Sequence, residues 1–262
     1  MIRSLYSGGT GMVAQQMNVD VIANNLANVN TVGFKRSRAD FQDLLYQTMR
    51  APGVITPSGA QIPTGIQLGA GVKPAAVSKI FSQGDMRNSE NELDIAIDGK
   101  GLFQIQRPDG ELQYTRAGNF QIDYNGQIVT TEGFLLYPTI TIPQDTTLIS
   151  IDSEGNISVA QPGSTGLNNI GQIELANFVN PAGLLSEGRN LYKETEASGT
   201  PIIGTPDSNE FGSILQGFLE VSNVSVVEEL TQMITAQRAY EVNSKTVQTA
   251  DAMLQQATQL KR

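Results

Sequence analysis

The sequence predicts an α+β protein in which N- and C-terminal helices pair as a coiled coil around an inserted antiparallel β domain. Three observations carry this. Apolar residues recur every seventh position at both ends: Leu5, Met12, Val19 and Leu26, then Val226, Met233, Tyr240, Val247 and Leu254. Residues 221–262 contain neither Gly nor Pro. The stretch between alternates apolar and polar residues and is cut by hairpin signals. A seven-residue repeat holds one stripe on one side of a helix, which long helix–helix packing requires.

Taken in order, Gly8, Gly9 and Gly11 should make the first eleven residues bend or fray, with a helix from about Thr10 to Asn28. The run Asn28-Val-Asn-Thr-Val-Gly33 reads as a helix cap and turn. Residues 40–49 carry Phe41, Leu44, Leu45 and Met49 and fit either a short helix or the first arm of a long hairpin. Residues 51–71 hold Pro52, Pro57 and Pro63 and no charge, so they form an extended excursion or a loop. From Val72 to Phe218, runs such as LDIAIDG and GLFQIQ alternate as strands do. Asp109-Gly110, Asn125-Gly126 and Gly155-Asn156 mark turns. Residues 198–217 read as a loop leading to the last helix, whose Gly- and Pro-free stretch would reach about 63 Å at 1.5 Å per residue. The expected divisions are therefore 1–35, 36–75, 76–218 and 219–262: helix, extended segment, β domain, helix.

Composition narrows the chemistry. The chain has 262 residues, a net charge of −9, and no His, Cys or Trp. An acidic surface disfavours nucleic acid, whose phosphates reward Lys and Arg, and an anionic membrane surface. Without His and Cys the usual transition-metal ligands and the common nucleophile systems are missing. No catalytic residue, cofactor site or metal site is expected. Asp152 to Asn156 lacks the spacing of a Ca²⁺ loop, and Gly99-Lys100-Gly101 lacks the Lys-Ser/Thr ending of a phosphate loop. No run of about 20 apolar residues exists for direct membrane insertion, and the first twelve residues are not a cleavable secretory signal.

The surface candidates are therefore assembly residues. Small side chains three positions after the C-terminal stripe, Ala236, Asn243, Ala250 and Ala257, allow helices to approach closely. Asn24, Asn25 and Asn28 form an amide-rich patch in a helix, where Asn is a poor interior residue unless it fixes register. The candidate polymer interface is Leu5, Met12, Val19, Asn24, Asn25, Leu26, Asn28, Gly33, Phe34, Val226, Met233, Tyr240, Val247 and Leu254.

The run Ala23-Asn-Asn-Leu-Ala-Asn-Val-Asn-Thr-Val-Gly-Phe-Lys35 resembles one signature of the bacterial flagellar rod and hook family. Met233-Ile-Thr-Ala-Gln-Arg-Ala-Tyr-Glu-Val-Asn-Ser-Lys245 resembles its second. Asp98-Gly-Lys-Gly-Leu-Phe103 and Tyr114-Thr-Arg-Ala-Gly-Asn-Phe120 are similar to its β region. Within the family, the length and the segment after Tyr46-Gln-Thr-Met-Arg-Ala-Pro52 are most similar to distal rod members; the nearest competitor is the proximal rod or a short hook-type subunit. The resemblance implies a non-enzymatic subunit that polymerises into a helical tube, with terminal helices inside, β domains outside and residues 46–66 stiffening it. It implies as partners the chain itself, proximal rod proteins, the hook protein, the P- and L-ring proteins and the flagellar export apparatus. It places the chain in the basal body, from periplasm to outer membrane, exported without a cleavable signal. A peptidoglycan-binding module is the alternative from another class, and a cell-wall glycosidase the least supported.

The helical stripes generate a first prediction. Met233→Asp or Leu254→Asp should abolish filament formation, scored by swimming motility; motile mutants would contradict a role for the stripe.

Overall fold

The computed structural model describes residues 2–53, 63–162, 166–208 and 210–259. The chain divides into two compact units. One comprises Met1–Leu26, Ser37–Ser78 and Ser225–Arg262, and the other Ala27–Arg36 and Lys79–Val224.

The first unit contains helices α1 (Ile2–Ala27) and α2 (Val226–Gln259). At 1.5 Å per residue they are about 39 and 51 Å long. α1 starts earlier than the glycines suggested. Gly8 is buried against α2, so its lack of a Cβ provides room for the neighbouring helix and does not end the helix. α2 starts later than residue 219, because Phe218–Glu220 is a strand paired with Met86–Asn88. Glu228 and Glu229 lie in the first turn of α2, where carboxylates oppose the positive end of the helix dipole. Residues 40–49 resolve to β strands. β1 (Ser37–Asp43) is hydrogen-bonded to β4 (Val72–Lys79), and β2 (Tyr46–Arg50) pairs antiparallel with β3 (Ile66–Gly69). Of the uncharged 51–71 segment, residues 54–62 lie outside the described residues.

The second unit is built from antiparallel strands. β5 (Met86–Asn88), β6 (Ile95–Asp98), β7 (Leu102–Gln106) and β8 (Leu112–Thr115) open it. β7 sits centrally in a nine-stranded sheet, between β8 on one side and Leu135–Tyr137 and Leu175–Asn177 on the other. A three-stranded sheet runs Leu148–Ile151, Asn156–Ala160, Asn168–Gln172. The three turn signals sit as expected: the N–H groups of Gly110, Gly126 and Gly155 donate to the carbonyls of Arg107, Asp123 and Asp152 at 2.9, 2.8 and 2.9 Å. Residues 198–217 are more ordered than a loop. Ile202–Gly204 pairs with Leu175–Asn177, and Ser213–Gln216 pairs with β6, burying Ile214 in the core. Their strands are only three or four residues long, too short for alternation to show.

Alternate residues of β7 feed two cores. Phe103 and Ile105 join Ile95, Ile97, Phe120 and Leu136, while Leu102 joins Tyr114, Phe178 and Tyr192. Phe103 and Phe120 meet edge to face at 5.2 Å, as do Tyr114 and Phe178 at 4.8 Å.

A buried ion network crosses this unit. One oxygen of Glu220 accepts from Lys35 Nζ at 2.5 Å and from the N–H of Gly84 at 2.8 Å. The other accepts from Arg116 Nε. Arg116 also donates to the carbonyls of Gly101 (2.6 Å), Ile97 (2.7 Å) and Gly99 (2.7 Å), and Lys35 donates to that of Ser82 at 2.7 Å. Glu220 and Lys35 are 1% and 2% exposed, so these bonds replace lost hydration. Burial alone would push the Glu220 carboxyl up. Arg116 and Lys35 oppose it, with hydrogen bonds from Arg116 and Gly84, and hold the carboxyl below its ordinary value. Burial draws the Lys35 ammonium down against the pull of Glu220.

The same residues lace together the segments that leave this unit. Gly33 donates to the carbonyl of Glu220 at 2.8 Å, and its φ of +68° needs glycine. The Arg36 N–H donates to Asn223 Oδ1 at 2.8 Å, and Asn223 Nδ2 donates to the carbonyls of Ile80 and Ser82 at 2.9 and 3.1 Å.

Arg116→Met should therefore cost about 3–5 kcal/mol, because it leaves a buried carboxylate short of a partner. Urea denaturation of the dilute protein measures this, and a loss under about 1 kcal/mol would contradict it. The carboxyl of Glu220 is depressed when folded, so its contribution is complete above the unfolded value of about 4.3 and fades as pH falls through the folded value. Without Arg116 that acid loss should begin at higher pH.

Candidate assembly surface

The two helices of the first unit run antiparallel. As α1 advances from Gly8 through Gly11 to Asn25, its neighbour on α2 retreats from Val247 through Asn243 to Glu229. A Cβ on Gly8 would lie 2.8 Å from Val247 Cγ2, and one on Gly11 would lie 2.8 Å from the Asn243 amide nitrogen. At the other end Asn25 is buried. Its amide donates to Glu229 Oε2 at 3.2 Å and to the Ser37 carbonyl at 2.8 Å, and accepts from the Ser37 N–H at 2.8 Å. One side chain thus joins the end of α1, the start of β1 and the first turn of α2.

The inner face of α2 is made of Glu229, Met233, Ala236, Asn243, Val247, Ala250 and Leu254, alternating three and four residues apart apart from one seven-residue step. Ala236 and Ala250 are 3% and 5% exposed. Of the expected stripe residues, Met233, Val247 and Leu254 are half-buried, as are Leu5, Met12, Val19 and Leu26 on α1. Val226 and Tyr240 are exposed. Asn24 is exposed and Asn28 half-buried. Gly33 and Phe34 are buried in the other unit, where Lys79 Nζ stands 5.1 Å from the Phe34 ring centre. They are not surface residues there.

A heptad count on α2 misses a second apolar face. Val227, Leu230 and Ile234 lie one helical turn apart, to the side of the inner face, and are 75%, 43% and 50% exposed. The 3- and 4-residue spacing of these positions was the available signal. On α1, Tyr6 and Val13 are likewise exposed, and they line a groove with Leu44, Val72 and Pro74. Leu45, Tyr46, Met49, Ile66 and Leu68 on and beside the β2–β3 pair are exposed as well.

The distribution is lopsided. Among the described residues, the first unit holds most of the exposed large apolar side chains of the chain, yet its buried apolar residues are only Ala14, Ile22, Ala236 and Ala250. Small side chains dominate the little core it has. Large exposed apolar patches mark sites of protein association.

Three family descriptions match the chain in order: flagella basal body rod protein over residues 5–35, the flagellar hook protein FlgE/F/G D1 domain over 96–159, and the C-terminal part of the flagellar basal body rod FlgEFG proteins over 215–260. The chain is 52% identical to the flagellar basal-body rod protein FlgG of Buchnera aphidicola subsp. Schizaphis graminum, over 99% of this chain and all of that one. It is 51% identical to FlgG of Caulobacter vibrioides, with 99% and 100% covered, and 42% identical to FlgG of Bacillus subtilis, with both chains covered throughout.

The geometry gives one stability test. Asn25→Ala strands the N–H and C=O of Ser37 and removes a bond to Glu229, which should cost about 1–3 kcal/mol. Loss of helical circular dichroism in urea reads it; an unchanged midpoint would show that Asn25 ties nothing together. Matched along its length by rod proteins at up to 52% identity, this is a structural protein and not an enzyme: the chain belongs to the FlgG family of flagellar basal-body rod proteins.

Proposed function

We propose that copies of this chain polymerise through their terminal helices into the distal rod of the flagellar basal body. In this reading α1 and α2 form the inner, coiled-coil layer of a helical tube, and the β unit is carried with them. The tube is a rigid shaft that passes motor torque to the hook.

One observation carries the proposal most. The unit that contains both helices exposes far more large apolar side chains than it buries. The face with Val227, Leu230 and Ile234 gains by meeting another copy at roughly 25 cal/mol per Å² of apolar surface removed from water. The inner residues Leu5, Met12, Val19, Asn25, Leu26, Met233, Val247 and Leu254 hold the helices together, and exposed Asn24, Val226 and Tyr240 reach towards neighbours. Asn28, Gly33 and Phe34 belong to the turn that follows α1. The low charge of the chain, 16% Asp, Glu, Lys and Arg, weakens repulsion between copies.

Proximal rod proteins at one end, hook protein at the other and the P- and L-ring proteins around the tube complete the proposed partners. The shaft then runs from the periplasm to the outer membrane, reached through the flagellar export apparatus. Residues 46–66 add contacts between copies and stiffen the tube; exposed Tyr46, Met49 and Ile66 support that role.

Hydrogen exchange on dilute and then concentrated protein tests the reading. The outer face of α2 should gain protection only on association. Val227→Asp with Ile234→Asp should prevent assembly while leaving monomer stability within about 0.5 kcal/mol, as surface substitutions do. Assembly unaffected by the double substitution would overturn it.

A further inference from the structure

A cavity of about 240 Å³ opens in the β unit over the buried ion network. Lys35, Lys100 and Arg116 line it, with the apolar side chains of Phe81, Phe178 and Val179 at its walls. No Asp or Glu is among the lining residues.

The donors do not balance the acceptors. A guanidinium has five N–H groups. Arg116 uses four, on Glu220 and on the carbonyls of Gly101, Ile97 and Gly99, leaving one on Nη1. An ammonium has three. Lys35 uses two, on Glu220 and Ser82. Asn177 accepts from the N–H of Phe178 through Oδ1 at 2.9 Å, which leaves its Nδ2 as a donor at the same cavity. Charge is unbalanced too. Two buried cations share the single carboxylate of Glu220, and exposed Lys100 adds a third positive group at the lining. Buried unbalanced charge is costly unless an opposite charge meets it.

We propose that this cavity is a carboxylate-binding site. A carboxylate has two acceptor oxygens and one negative charge, which match the spare N–H groups of Arg116 and Lys35 and the charge they carry in excess of Glu220. The apolar side chains of half-buried Phe81 and buried Phe178 accept the carbon that bears the carboxylate. Its source is either an acidic side chain of a neighbouring copy, which rests on the assembly reading above, or a small free carboxylate. The chain itself is rich in candidates, with 26 Asp and Glu against 17 Lys and Arg.

Sodium formate titrated into the dissociated, isotopically labelled protein at constant ionic strength tests this, with sodium chloride as the control. The Gly101 amide and Arg116 Nε resonances should shift saturably with formate and not with chloride. Lys100→Gln, an exposed position that the fold does not depend on, should weaken formate binding about tenfold, which is about 1.4 kcal/mol. Absence of saturation, equal shifts with chloride, or full affinity in Lys100→Gln would each overturn the site. Repeating the titration on assembled protein separates the sources. Formate excluded from the assembly identifies a neighbour's side chain, and formate bound equally in both states identifies a free carboxylate. Because the first titration uses dissociated protein, its outcome does not depend on whether the chain assembles.

Discussion

A helix pair that carries apolar residues on more than one side cannot cover all of them within one chain, and this limit governs the unit that contains both termini. The inner faces of α1 and α2 meet closely because their contact positions are small: Gly8, Gly11, Ala236 and Ala250. Close approach favours dispersion contacts along the seam, but small residues remove little apolar area from water. Such a pair is held in register without gaining a large core. Val227, Leu230 and Ile234 stay at the surface, and with them the capacity to bind further copies.

The β unit solves its own folding problem separately. It buries nearly all of the large apolar side chains the chain does bury, arranged on both faces of β7. The network of Lys35, Arg116 and Glu220 does a different job from these cores. Buried ion groups are weak evidence for stability, since desolvation opposes the Coulomb gain. Here they fix geometry: the carbonyls and N–H they engage belong to two connections, Ser82 and Gly84 before β5, and Ile97, Gly99 and Gly101 where β6 turns into β7. An apolar replacement of the same volume would fill the space and leave those backbone groups without partners.

Much of this was legible in the sequence, for reasons that differ by element. Seven-residue periodicity survives in any helix long enough to repeat it, so both terminal helices could be read. Gly110, Gly126 and Gly155 could be read because a tight turn with positive φ selects glycine strongly. The early start of α1 could not, because Gly8 and Gly11 look like breakers until the partner helix is known. Strands of three or four residues such as Ile202–Gly204 carry too few positions for alternation. The ion network was hidden for another reason. Lys35, Arg116 and Glu220 lie 81 and 104 residues apart along the chain, and no local pattern distinguishes them from surface charges. Two of them sit inside the family-like runs ending at Lys35 and spanning Tyr114 to Phe120, so the resemblance marked the segments without giving the reason.

That reason bears on how a rod subunit differs from a simple coiled coil. Helices with exposed apolar flanks associate in many registers unless something restricts them, as uniform seams do. Asn25 supplies a restriction in the helical unit, since its amide finds Ser37 and Glu229 together in only one alignment. Asn223 and Glu220 supply another in the β unit, where they hold residues 33–36, 80–84 and 220–223 side by side. Polar groups thus select one arrangement and apolar groups favour association in general. A shaft built from such subunits, as proposed, would owe its cohesion to the uncovered faces and its regularity to a few buried amides and charges.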